Sequence, residues 1–215
     1  MQVGIFHIGD IEGYLKLGSL AAQVAKHTMP GVNVVHLTDF DTPQIHWTDS
    51  AIRTERNCPM AVFRMRHQQI LGEWLFIDPD VLIRKPVDNL FEDYGFSIAL
   101  ANRKPGDGTT NPDTDPLFKE MPHNTGVVFS RCPEFFHAVE KELLTYDAEM
   151  QEWMGDQLAI NRIKDAWNCK LLPSGYNFPP GRDGKVGSVH IAHYKGHRKP
   201  LMVEHAFKIL HGINS

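Results

Sequence analysis

Two carboxylates, Asp78 and Asp80, flank Pro79 directly after the apolar run Trp74-Leu75-Phe76-Ile77. Such a run, rich in aromatic and β-branched residues, predicts a short strand buried on both faces, as inside a parallel sheet. Packing gives no reason for acidic side chains at its end, because an unpaired buried carboxylate is among the costliest groups to place inside a fold. A cation removes that cost. Oxygen ligands at the carboxyl end of a sheet strand suit Mg²⁺ or Mn²⁺. Asp and Pro are also ordinary turn residues, so a plain turn is the alternative. A second candidate cluster is His190, His193 and His197. Gly196 and Pro200 disfavour a zinc-binding helical face there, and no Glu stands between the histidines as in a metallohydrolase helix.

The elements that must position these groups follow from periodicity. Residues 2–8 predict a first strand, Gly9-Asp10 a turn, and Leu17, Leu20, Ala21 and Val24 the buried face of a helix that ends at Met29-Pro30-Gly31. Residues 33–39 predict a second strand. Strand, helix, strand is a βαβ unit with a right-handed crossover and parallel strands. No Gly-x-Gly-x-x-Gly follows the first strand and no Gly-Lys-Ser/Thr occurs anywhere, so neither a dinucleotide fold nor a P-loop is indicated.

Residues 41–58 are turn-rich and predict a surface loop carrying Arg53 and Arg56, and a helix with Met60, Phe63, Ile70 and Leu71 on one side starts at Pro59. A strand is predicted over 96–101, a long loop over 102–120 and a strand over 123–130. Helices follow from Pro133 and over 151–167, the latter with Gly155-Asp156-Gln157 in its first turn. A loop over 171–180 and a last strand over 186–192 lead into His193-Tyr194-Lys195-Gly196-His197-Arg198-Lys199-Pro200.

With 42% hydrophobic and 22% charged residues in 215, the composition is globular and suits one compact domain. A net charge of −4 and a pI near 6.3 give no electrostatic reason to expect nucleic acid. Cys58, Cys132 and Cys169 are widely spaced and odd in number, which argues against a disulfide framework and for a reducing compartment. With no signal-like start and no apolar run long enough to span a bilayer, the expectation is a cytoplasmic protein without a membrane span.

Taken in order, the strand-terminal Asp78-x-Asp80, the Asn124-x-Gly126 strand, the Asp156-Gln157 pair and the late His193-x-x-Gly196-x-x-Lys199-Pro200 resemble the GT-A-fold glycosyltransferases, most closely the retaining glycogenin and bacterial galactosyltransferase group. The resemblance spans nearly the whole chain. Where the tail motif usually continues with Trp, this chain has Leu201. The resemblance implies a single-domain α/β architecture with a Rossmann-like sheet flanked by helices. Residues 1–84 would form the nucleotide-binding half, and 85–215 the sugar and acceptor half with a closing C-terminal segment. It implies Mn²⁺ (or Mg²⁺) on Asp78, Asp80 and His193, and diphosphate contacts from Gly196 and Lys199. Further donor contacts would come from Asp10, Tyr14, Arg66 and Asn124, and Asp156 and Gln157 would be catalytic.

The partners implied are a nucleotide-sugar donor, a UDP-sugar favoured, and an acceptor of unspecified class: glycan, lipid, protein or small molecule. The chemistry is consistent with this, since negative charge grows on the leaving diphosphate during glycosyl transfer and a divalent cation with a lysine would neutralise it. A sugar-nucleotide pyrophosphorylase and an inactive nucleotide-sugar-binding module are the alternatives. The first would want a basic, Gly-rich loop where the chain has the acidic Gly9-Asp10-Ile11-Glu12-Gly13.

Overall fold

Residues 1–102, 120–181 and 183–213 of this computed structural model are described. Strand β1 (Gln2–Phe6), helix α1 (Glu12–Thr28) and strand β2 (Asn33–Asp39) form the expected βαβ unit, with β1 and β2 parallel in the register Gln2↔Asn33 to Phe6↔Leu37. β3 (Ser50–Thr54) and α2 (Met60–His67) follow, then β4 (Trp74–Ile77), β5 (Val81–Ile83) and α3 (Leu90–Tyr94). The chain continues through β6 (Ile98–Asn102), β7 (His123–Ser130), α4 (Pro133–Leu143), α5 (Ala148–Glu152) and α6 (Gly155–Ile163). It closes with β8 (Lys170–Leu172), β9 (Ile191–His193) and α7 (Lys199–Leu210).

Seven strands make one mixed sheet in the order β3-β2-β1-β4-β7-β6-β8, and β5 pairs antiparallel with β9 in a separate ribbon. β4 is central, parallel to β1 and antiparallel to β7. Its unbroken apolar run is explained by the two cores it serves. Leu75 and Ile77 join the cluster under α1 and α7, whereas Trp74 and Phe76 join the cluster under α2 and α4. Both faces are covered, so no alternation with polar residues survives.

Several sequence expectations are corrected. Part of the predicted loop at 41–58 is β3, which pairs parallel with β2 as an edge strand. Arg53 on it donates from Nη1 to the carbonyls of Asp39 (2.8 Å) and Thr42 (2.7 Å), so it shapes the loop that follows β2. α2 stops at His67, leaving Leu71 exposed ahead of Gly72, whose φ is +107°. The predicted helix at 151–167 is divided into α5, α6 and a 3₁₀ turn at Lys164–Trp167, because Met154 takes a left-handed conformation (φ +68°) between the first two. The last strand shrinks to β9, since Gly184 and Gly187 have φ of +72° and +61° and break the extended chain before it. The loop expected at 102–120 falls, except for its end residues, outside the described ones. No helix among the described residues is long and apolar enough to cross a membrane.

Phe136 shows how tightly the α2–α4 side is built. Fully buried, it meets Phe76 edge-on at 5.4 Å and Phe135 at 5.3 Å between ring centroids. Phe136→Ala should cost about 3–5 kcal/mol through lost burial and the cavity left behind. Urea denaturation of the variant beside the parent chain measures it.

Candidate active site

β4 ends at Ile77, and the chain turns through Asp78-Pro79-Asp80 into β5, leaving both carboxylates at the carboxyl end of the sheet. The β5–β9 ribbon then sets Val81 opposite His193. This pairing draws together groups more than a hundred residues apart in the chain. His193 Nε2 lies 3.1 Å from Asp80 Oδ1 and 3.7 Å from Asp78 Oδ2. One ligand atom from each of the three lies within 4.8 Å of the others, close enough to share a cation. The resemblance-based reading of His193 as a partner of the two Asp residues therefore has its geometry, and the His190-His193-His197 cluster does not form: His190 instead stacks on Tyr176 at 4.6 Å.

The donor set fits a divalent cation. His193 Nδ1 is 2.9 Å from Asn177 Oδ1 and donates to it, as metal-binding histidines do to a fixing partner. With Nδ1 so engaged, Nε2 faces the two carboxylates, and a cation held between the three would take the place of the Nε2 proton. Gly126 of β7 is required here. A Cβ at this position would lie 2.3 Å from His193 Cε1 and 2.5 Å from Asp78 Oδ2, so any other residue pushes the ligands apart.

A cleft of about 610 Å³ opens over this cluster. Of the residues singled out from the sequence, Tyr14, Asp78, Asp80, Asn124, Asp156, Gln157, His193, Gly196 and Lys199 line it. Lys199 donates to the Tyr14 hydroxyl and sits 4.0 Å above that ring, joining α7 to α1 across one end. Gly196 (φ +57°) takes a left-handed conformation that a side chain would strain. Asp10 is exposed and is not part of the lining.

Arg66 is a correction. It points away from the cleft, bonding Glu140 (Nε to Oε1, 2.7 Å) and Asn57. The arginine that enters is Arg64, which sequence reasoning passed over. Its Nη2 donates to Asp78 Oδ1 (2.5 Å) and to the Thr125 carbonyl (2.7 Å), and its Nη1 is 4.0 Å from Asp156 Oδ2. Two residues apart on a helix are turned about 200° from each other, so α2 can offer only one of the pair to the cleft. Asn177 was also missed, having no local signal: its role arises from a contact 16 residues away in the chain.

The electrostatics follow from burial. Asp156 is fully enclosed, and desolvation raises its carboxyl above the ordinary range although Arg64 pulls the other way. Its Oδ1 accepts the Gln157 backbone N–H at 2.8 Å. Burial also works to raise Asp80, but the neighbouring His193 and Lys199 overcome it and hold that carboxyl below its usual value. For Arg64, burial opposes the charge and the carboxylates of Asp78 and Asp156 outweigh it, so the guanidinium stays protonated. At the floor of the cleft His7 stacks on Tyr14 (5.7 Å) and on His36. Asn124 lines the cleft beside Gln157, with Nδ2 3.3 Å from Gln157 Oε1 and Oδ1 accepting the Gly126 N–H at 3.0 Å.

No protein-family model matches the sequence, and no curated protein does. Solved structures do. The fold is similar to the glycosyltransferase GlyE of Streptococcus pneumoniae TIGR4, at 16% identity and a TM-score of 0.61 over 99% of this chain and 63% of that one. It is similar to the galactosyltransferase LgtC, solved with donor and acceptor sugar analogues, at 13% identity and a TM-score of 0.62 over 100% of this chain and 97% of that one. The bifunctional glycosyltransferase WbbM matches at 11% identity and a TM-score of 0.60, over 98% of this chain and 51% of that one. This chain thus spans less than two thirds of the GlyE structure but nearly all of LgtC. At such identities the likeness is one of architecture: the chain has the GT-A fold of these glycosyltransferases.

Proposed function

We propose that the chain, read as one domain over 1–215, is a metal-dependent glycosyltransferase. It moves a sugar from a nucleotide diphosphate sugar, a UDP-sugar favoured, to an acceptor hydroxyl with retention of configuration. The observation that carries this reading is the meeting in one cleft of Asp78, Asp80 and His193 with Lys199 on one side and Asp156-Gln157 on the other. Asp78, Asp80 and His193 would hold Mn²⁺ or Mg²⁺, which when bound supplies positive charge for the leaving diphosphate. Lys199 and the backbone at Gly196 would add to that charge, and Tyr14 would offer a ring to the base. Asn124 and Gln157 carry amides suited to reading sugar hydroxyls.

During transfer the bond from the anomeric carbon to the diphosphate oxygen breaks and a bond to the acceptor oxygen forms. The acceptor proton goes to the departing phosphate. Asp156 is enclosed and already bonded to the Gln157 N–H, which makes it a poor nucleophile. Attack on the face that the diphosphate leaves therefore fits better, with Asp156 steadying the positive charge that develops on the sugar. NMR of the product's anomeric configuration tests this, and an inverted linkage overturns retention.

A thermal-shift screen of UDP, GDP and CMP sugars with and without Mn²⁺ tests the whole reading. A ligand at a hundredfold excess over Kd stabilises the native state by about 2.7 kcal/mol. No metal-dependent shift with any donor overturns it. Asp80→Ala and Gly126→Ala should each abolish or sharply weaken Mn²⁺ binding measured by EPR while circular dichroism stays native, the first by removing a ligand and the second by displacing two. Asp156→Asn should lower kcat by about tenfold or more and change donor affinity much less, because its charge matters chiefly in the transition state. The raised Asp156 carboxyl takes up its proton as pH falls from a value above the ordinary carboxylate range. The acid limb of kcat should lie correspondingly high, and Arg64→Met, which removes the opposing cation, should move it higher still.

A further inference from the structure

Trp153 is a large apolar side chain that packing has left 67% exposed, and it lines the same cleft as Asp156 and Gln157. Exposure of one tryptophan is common; its framing here is not. Upstream, Asp147 caps α5 by accepting the Met150 N–H at 2.9 Å. Glu152 then accepts from Arg56 Nη2 and from the Met60 N–H at the start of α2, both at 3.0 Å, tying the end of α5 to the cleft wall. Downstream, Met154 is held left-handed, a conformation that costs a non-glycine residue energy. Gly155 is packed so closely that a Cβ would lie 2.2 Å from the Met150 carbonyl oxygen. Trp153 is extended (φ −143°, ψ 130°) between these fixed points. Among the described residues no ring or cation stacks on it.

The position also separates it from the proposed nucleotide end. Tyr14 and Lys199 belong to the α1–α7 wall, whereas α5 and α6 pack against α2 on the other. Trp153 immediately precedes the Met154-Gly155-Asp156-Gln157 stretch and lines the same cleft as the residues proposed to hold the donor sugar. A flat ring there suits the C–H face of a pyranose, which has one apolar face and a rim of hydroxyls. The carboxylate of Glu152, which lines the same cleft, suits those hydroxyls and would be costly to cover with an acyl chain.

We infer that Trp153 is the platform on which a carbohydrate acceptor stacks, so that the acceptor is a glycan or glycoside and its affinity is set at the α5–α6 break. This rests on the transferase reading. The test uses the full-length chain with Mn²⁺ and the nucleotide sugar that it hydrolyses. Transfer is measured to a panel of methyl and p-nitrophenyl glycosides of the common hexoses and to lactose and maltose, with hydrolysis to water as the internal reference. Trp153→Ala should raise the acceptor KM about tenfold or more, leave donor hydrolysis unchanged and be largely rescued by Trp153→Tyr. Equal loss of hydrolysis and transfer assigns the ring to the donor or to the fold and overturns the inference. So does an unchanged acceptor KM, and so does a wild type that hydrolyses donor yet transfers to no sugar in the panel. Absence of any donor hydrolysis in the wild type overturns the transferase reading itself, and this inference with it.

Discussion

Three carboxylates, Asp78, Asp80 and Asp156, face one cleft at the end of a central strand, and their mutual repulsion is the constraint that the surrounding structure answers. Arg64 is buried for this purpose. Its guanidinium bonds Asp78 and lies near Asp156, so each sign offsets part of the cost of burying the other. His193 and Lys199 supply the remaining counter-charge around Asp80. Breaking one member leaves a buried charge uncompensated, so these groups form a unit rather than a set of independent contacts.

The topology exists to bring that unit together. β4 delivers two of the carboxylates between a parallel and an antiparallel neighbour, and β7 passes Gly126 alongside, where only a hydrogen fits between His193 and Asp78. The small β5–β9 ribbon is the other half of the device, since it carries His193 back from the far end of the chain to Asp80. Just after β9 the chain turns at Gly196 into α7, which packs on α1 and places Lys199 against Tyr14. The cleft is therefore closed at one end by the C-terminal helix. At the other, the break between α5 and α6 forms an apolar rim.

Much of this was legible in the sequence because it depends on local pattern. The apolar run before Asp78 announced a strand with two covered faces. The spacing of Leu17, Ala21 and Val24 announced α1, and the order of four short motifs announced the GT-A arrangement and the approach of His193 to the carboxylates. What only the tertiary structure decided was which side chains turn inward and which distant groups meet. Arg64 and Arg66 are equivalent in type and neighbours in sequence, but α2 is apolar on much of its circumference, so its pattern does not say which arginine enters the cleft. Asn177 acquires meaning only from His193, β3 only from β2, and the break at Met154 only from the packing of Gly155 on the Met150 carbonyl. Each is a contact between segments brought together by folding, and periodicity within a single segment carries no record of it.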